Sequence, residues 1–299
     1  MPNKMEGAEK SRLLCTSVRR LMKRRSFAHF ISYLLLGGMS FLFLAPFLWS
    51  FLTSFKPNPE IYSAPIKVLP RLATLDHYHY VVTGIPDFLT YFKNSVVVSL
   101  VSVTLVALFS SLAGYGLGRF EFRGARVVLF FMLLVLALPW GIFLIPIYIM
   151  EDVFGLVNTN TGLILPYVAL NLPLATIIMR GTFRSIPAAL EDAAQIDGCN
   201  SFQAWYLVMM PLARGGLAAS GIFTFITVWG EFMFARTLML TTETKTLAVG
   251  ITELRTEGGS WAYGPLSATI LLSIIPTLLL FLFLEKHFTR AILEGSLKG

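Results

Sequence analysis

The sequence predicts an all-α membrane protein that crosses the bilayer six times and keeps both termini in the cytoplasm. Three observations carry that prediction. Of 299 residues, 55% are hydrophobic and 14% charged, where a soluble domain averages about a quarter charged. The apolar residues gather into runs long enough for an α-helix to cross a hydrocarbon core of ~30 Å. Seventeen of the 24 lysines and arginines fall on one set of alternate connecting segments and the termini. Lys56, Lys67, Arg71, Lys93, Arg236, Lys245 and Arg255 fall on the other set, and basic residues favour the cytoplasmic side. The sequence pI of about 9.5 therefore reads as topology and not as a nucleic-acid surface.

Residues 1–29 hold eight Lys/Arg, including Arg19, Arg20 and Lys23-Arg24-Arg25, and are expected to form a solvated cytoplasmic anchor. The apolar run that follows is too long for a signal-peptide core, so the first crossing is placed at about 30–52 and uncleaved. Residues 55–92 carry Pro57, Pro59, Pro65, Pro70 and Pro86 and are too polar for lipid; an external loop with some short helix is expected. The second crossing, 94–117, opens on Asn94-Ser95. Gly114 and Gly118 near its end make a small-xxx-small face for close helix contact. The inner loop 119–126 contains three arginines. The third crossing, 127–150, contains Pro139 and Pro146; the fourth, 161–183, contains Pro166, Asn171 and Pro173. The fifth, 215–240, contains Glu231, and the sixth, 265–288, contains Pro276. The transmembrane domain thus covers 30–290, with a cytoplasmic tail at 291–299.

One connecting segment stands apart. Residues 184–214 read RSIPAALEDAAQIDGCNSFQAWYLVMMPLAR, and the pattern predicts two short capped helices. Ser185 is an N-cap candidate, with Pro187 just inside the start, where a missing N–H is harmless. Gly198 suits a left-handed C-cap. Asn200 or Ser201 then caps a second piece, 202–210, which Pro211 is expected to stop. Ala193 and Ala194 flatten one face of the first helix for close approach by a partner. A connecting segment this long is more often functional than passive.

The chemistry missing from the chain narrows its class. No GxxxxGK[ST] phosphate loop, GxSxG elbow or DDxxD cluster occurs, so neither nucleotide binding by that route nor intramembrane hydrolysis or prenyl transfer is supported. His29, His77, His79 and His287 lie outside or at the ends of the crossings. His77 and His79 read as a solvated loop pair in preference to a metal site. Cys15 and Cys199 have no metal-ligand or disulfide pattern and fall on the reducing side. No cofactor or metal is therefore expected on this chain. Glu231 and Asn171 are the chief polar groups within crossings. A buried carboxylate marks a pathway or a paired structural site, and a pair with Arg236, a backbone N-terminus or a substrate contact all remain open. Tyr167, Asn171, Trp229 and Glu231 are the candidates for a translocation path.

The residues at 191–211 resemble the EAA loop of ATP-binding-cassette importer permeases. Asp192-Ala193-Ala194, Gly198 and Val208-x-Met210-Pro211 occupy the family's E-A-A, G and I-x-L-P positions. Asp192 replaces the usual Glu, and Glu191 beside it leaves two candidate carboxylates. Further elements resemble the carbohydrate-type branch: Asn94-Ser95, GYGLGRFEFRG (114–124), Pro139, Pro146 and Tyr148, GLVNT (155–159), Trp229-Gly230-Glu231-Phe232 with Gly230 departing from Asn, 247–250, and the terminal 295–299. The likeness covers 94–299 closely and the first crossing loosely.

The resemblance implies a type I ABC importer permease fold and a bacterial cytoplasmic (inner) membrane location. It implies no enzymatic activity in this chain: ATP and Mg are used by a separate ABC ATPase dimer. The 187–211 helices would dock in that ATPase through Glu191, Asp192, Ala193, Ala194, Asp197, Gly198 and Pro211. A homologous permease and an extracytoplasmic sugar-binding protein are the other implied partners besides the lipid bilayer. The 241–263 loop, with Gly258 and Gly259 beside Trp261, would meet the binding protein. The implied substrate is a di- or oligosaccharide. A non-sugar solute such as a polyamine or glycerol phosphate is the nearest alternative, and a stand-alone channel or secondary carrier a more distant one.

Overall fold

The structure, a computed structural model, describes residues 31–85, 87–254 and 262–296, with side chains described as far as 283. Every regular element among the described residues is helical. The basic segment 1–29, Gly258, Gly259, Trp261 and residues 297–299 lie outside the described residues.

The chain divides into two units, 1–74 and 75–299. In the first, α1 (Ile31–Ser54) is a long apolar helix. The polar stretch after it contains α2 (Asn58–Ile61) and is closed by Lys56. Its Nζ lies 4.8 Å over the Trp49 ring and donates to the Lys67 carbonyl at 2.7 Å.

The second unit begins with α3 (Asp76–His79) and a π turn over Tyr80–Gly84. His77 is buried there, and its ring occupies the space where a Cβ on Gly264 would stand. The solvated His77–His79 pair expected from sequence is thus half wrong: His79 is exposed and bonds Thr83, while His77 packs inside.

Helix α4 spans Phe88–Arg119, starting six residues before the expected Asn94. Its partner is α7 (Asn160–Ser185), and the two share the largest helix contact in the protein. Small residues line the buried face of α4. Ser95, Ser99, Ser102, Ser110 and Gly114 recur at intervals of three, four or eight and are all buried. In lipid, helices associate by close packing instead of by escape from water, so small side chains that admit a neighbouring backbone do most. At Gly114 a Cβ would lie 2.6 Å from Met179 Cβ and 2.9 Å from the Arg180 nitrogen.

The segment expected to be the third crossing is broken into two helices. Helix α5 (Ala125–Ala137) stops because Pro139 disfavours helical dihedrals at Leu138, which is extended (ψ 135°). A tight turn over Trp140–Phe143 leads into α6 (Leu144–Val153). The two halves are bent by 101°. Pro146 causes no break, since it lies in the first turn of α6, where its N–H would have no partner.

After α7 come α8 (Ala188–Ile196) and α9 (Ser201–Leu212). The fifth crossing, expected to run to residue 240, is helical only as α10 (Arg214–Trp229), followed by a separate α11 (Met233–Leu238). A short α12 (Leu247–Ile251) precedes α13, which runs Tyr263–Ser296 and so carries helix into the expected 291–299 tail. Helices α4, α7, α10 and α13 form the packed bundle. Among the described residues, four helices are long and apolar enough to cross a membrane, and two bent pairs raise the number to six when each pair counts once.

Candidate functional site

The 184–214 segment folds into two rods joined by a closed corner. Ser185 does not cap α8: it ends α7 and its Oγ donates to the Thr182 carbonyl at 2.8 Å. Pro187 stands just outside the helix, at its N-cap position, and not inside it. At the other end, Gly198 has φ +91°, and two bonds close the Schellman pattern. Cys199 N–H donates to the Ala194 carbonyl at 2.9 Å and Gly198 N–H to the Gln195 carbonyl at 3.0 Å. Asn200 then starts α9 with a reciprocal capping box. Gln203 N–H donates to Asn200 Oδ1 and Asn200 N–H to Gln203 Oε1, both at 2.9 Å.

Pro211 does not stop the second rod. The turns over Ala204–Met209 are of the wider π type, and helix continues through Pro211 to Leu212. A proline lacks the N–H for the usual i−4 bond and crowds that carbonyl, and a π turn relieves both. The inner side of α9 packs Trp205 and Met209, with Ala213 just after its end, against Tyr115, Met179 and Phe183.

The exposed face of the two rods is distinctive. Asp192, Ala193, Gln195, Asp197 and Gly198 are exposed; Ile196 is 86% and Phe202 64% exposed. Glu191 and Ala194 point the other way and are buried. The flat Ala193–Ala194 face expected from sequence is therefore split: Ala193 faces outward and Ala194 packs against the body. Glu191 accepts from the Tyr115 hydroxyl at 2.5 Å and pairs with Arg119 Nε at 3.1 Å. Of the two adjacent carboxylates, only Asp192 is presented outward.

Three of the four path candidates form one polar chain through the bundle. Thr227 on α10 donates to Asn171 Oδ1 at 2.8 Å, and Asn171 Nδ2 donates to the Tyr167 carbonyl at 2.8 Å. The Tyr167 hydroxyl donates to Glu231 Oε2 at 2.5 Å. Glu231 sits in the break after α10 and not deep in a continuous helix. It caps α11, taking the N–H groups of Met233 (2.7 Å), Phe234 (3.0 Å) and Ala235 (3.1 Å). Of the three readings left open for this residue, the geometry has it at a backbone N-terminus. Arg236 pairs elsewhere, with Glu253. Trp229 lies apart from the chain: its Nε1 donates to the Ser273 carbonyl at 2.9 Å, and its ring stacks on Phe225 and meets Phe92 edge-on.

At the end of the bundle away from the rods, the 240–254 segment is held by residues for which sequence spacing gave no role. Asn94 Nδ2 donates to the carbonyls of Glu243 (2.8 Å) and Lys245 (3.0 Å), and Ser95 Oγ accepts from Leu247 N–H at 2.8 Å. Asn158, at φ +65°, accepts from the N–H groups of Leu240 and Thr241 and from the Thr244 hydroxyl. Arg236 and Lys245 both reach Glu253 Oε1 at 2.8 Å. Partial burial would raise the Glu253 carboxyl, but hydrogen bonds and charge from Lys245 and Arg236 outweigh it and hold it below the ordinary carboxylate range. A depressed folded value means that the tie is intact above the unfolded value of about 4.3 and is lost as pH falls through the folded one. Amide exchange in 240–254 is accordingly expected to stay flat from neutral pH down to the unfolded value and to rise as pH falls below it, once corrected for intrinsic rate. Glu253→Gln should loosen the segment at neutral pH and abolish the pH dependence; exchange that is equally protected in the variant at neutral pH would refute the tie.

Comparison with known proteins follows the same lines. Residues 107–293 match the family described as binding-protein-dependent transport system inner membrane component. The arabinooligosaccharides transport system permease protein AraQ of Halalkalibacterium halodurans is 34% identical over 283 residues, covering 93% of this chain and 100% of the relative. The diacetylchitobiose uptake system permease protein NgcG of Streptomyces coelicolor is 34% identical over 269 residues, covering 90% of this chain and 88% of the relative. In fold, the chain matches a bacterial ABC transporter involved in the import of the acidic polysaccharide alginate, with TM-score 0.77 and 24% identity over 86% of this chain and 95% of that one. The chain is thus a multi-pass inner-membrane permease subunit of an ABC importer and not an enzyme. It belongs to the family of binding-protein-dependent transport system inner membrane components.

Proposed function

We propose that this permease subunit imports a di- or oligosaccharide, driven by a separate ABC ATPase dimer that docks on the α8–α9 rods from the cytoplasm. The single observation that carries the reading is the exposed face of those rods. Asp192, Ile196, Asp197 and Phe202 stand out on an element stiffened at both sides of its corner. A mixed acidic and apolar surface on a stiff support suits a protein partner whose motion must be passed on. In this reading each bent pair of helices serves one crossing, giving six, and the Lys/Arg distribution supports both termini inside.

A homologous permease and an external sugar-binding protein complete the assembly in this reading. Tyr167, Asn171, Trp229 and Glu231 border the path, the first two and Glu231 through the polar chain that joins α7, α10 and α11. The binding protein meets the 241–263 loop. The choice of a sugar draws on relatives named for arabinooligosaccharide and diacetylchitobiose uptake.

Purification in mild detergent is expected to retain the ATPase and the second permease, and radiolabelled oligosaccharide uptake to depend on ATP. Cys199, on the corner of the rods, should react with a membrane-impermeant thiol reagent only in inside-out vesicles. Labelling from the external face, or purification without an ATPase, would overturn the proposal.

A further inference from the structure

We infer that Glu191, Tyr115 and Arg119 are positioning residues that fasten the first docking rod directly to α4, so that ATPase motion enters the bundle through α4 as well as through the chain on either side of the rod. The inference rests on the docking role proposed for α8 and α9. Glu191 is 7% exposed on a helix whose adjoining Asp192 is exposed. Its two oxygens are divided between two residues of α4. The Tyr115 hydroxyl donates to Oε1 at 2.5 Å, and Arg119 Nε lies 3.1 Å from Oε2. Tyr115 and Arg119 are four apart, hence neighbours on one face of the last turns of α4.

The same guanidinium makes a second attachment. Arg119 Nη2 donates to the Ile186 carbonyl at 2.7 Å, just before α8 begins. A reciprocal contact runs from Arg180 on α7, whose Nε donates to the Leu117 carbonyl at 3.2 Å. The Tyr115 ring is held edge-on by Phe183 and Phe120, with centroids 5.6 Å away in each case. The carboxylate is therefore gripped at a fixed place, 76 residues upstream in sequence.

A buried ion pair adds little net stability, yet removing one partner leaves a stranded charge. Its value here is directional. Hydrogen bonds to charged groups are short and oriented, so a load on α8 displaces the end of α4 instead of bending the connection to α7. Because α4 packs on both α7 and α10, the load reaches the bundle as the movement of a body. The two carboxylates then have different tasks: Asp192 faces the partner, and Glu191 faces the bundle.

The assembled transporter, reconstituted with its ATPase and partner permease, tests this through the ATP hydrolysed per solute imported. Tyr115→Phe keeps the ring and removes only the donor; Glu191→Gln keeps the shape and removes the charge. Each is expected to raise the ratio on the order of fivefold, with unchanged membrane level and unchanged ATPase co-purification. Glu191→Ala removes the acceptor of the Tyr115 hydroxyl altogether, so adding Tyr115→Phe to Glu191→Ala should make the ratio no worse. An unchanged ratio in Tyr115→Phe, additive effects, or loss of the ATPase from Glu191→Gln complexes would overturn the inference. A wild-type chain that retains no ATPase would instead overturn the docking reading on which it rests.

Discussion

Gly114→Leu is expected to leave little folded permease in the membrane. A Cβ at this position would lie 2.6 Å from Met179 Cβ and 2.9 to 3.0 Å from main-chain atoms of Met179 and Arg180. Main chain cannot swing aside as a side chain does, so α4 and α7 would have to separate where they pack most extensively. Overpacking of this kind costs about 1–3 kcal/mol or more. In lipid the loss is compounded, since the contact is held by packing and not by a hydrophobic drive. Separation would also pull Tyr115 and Arg119 away from Glu191. Gly116 supplies the control on the same helix, because a Cβ there meets nothing within 4 Å. Folded protein surviving size exclusion in detergent should be severely reduced for Gly114→Leu and near wild type for Gly116→Leu. Equal recovery of the two variants would show that close contact at Gly114 is not what holds the helices together.

Gly198→Val should have the opposite profile, with normal insertion and failed coupling. Space is not the constraint, as a Cβ at Gly198 meets nothing within 4 Å. Conformation is: φ is +91°, which an L-residue adopts at a cost of roughly 1–2 kcal/mol and a β-branched one at more. The easiest relief is to open the corner, which breaks the bonds from Gly198 and Cys199 to the end of α8. The rods would remain helical but lose their fixed angle. Uptake is expected to fall about tenfold or more while ATP hydrolysis by the complex continues. Gly198→Asn, which tolerates the left-handed region best among residues with a Cβ, should lie between valine and wild type. Valine with undiminished uptake would mean that the corner angle is immaterial to transport.

These two glycines also mark how far the sequence could be read. Gly198 and Asn200 were legible because capping is local, each signal lying within a few residues of the groups it satisfies. Gly114 was legible through its four-residue spacing from Gly118, although the serines that extend the stripe along α4 were passed over as ordinary span residues. Glu191 was read as a partner contact because its orientation depends on Tyr115 and Arg119, and no local rule connects them. Ala194, three residues on, shares its face and is buried with it. For Glu231 a backbone N-terminus was among the open readings, but the break that creates one was not legible. A carboxylate followed by apolar residues resembles a charge inside a helix, whereas here it ends one helix and starts the next. Asn94, Ser95 and Asn158 reach segments some 80 to 150 residues away, and only the folded chain brings those together.

The corner between the two rods has a mechanical consequence. Residues 197–200 are tied to α8 on one side and to α9 on the other, so few soft torsions are left between them. The assembly behaves as a bell crank, with arms of about 13 Å and 18 Å at ~1.5 Å per residue. A swing of about 10° imposed on the shorter arm would carry the tip of the longer one through roughly 3 Å. That tip adjoins the first turn of α10, so a small angular stroke there becomes a linear displacement at the foot of a neighbouring pillar.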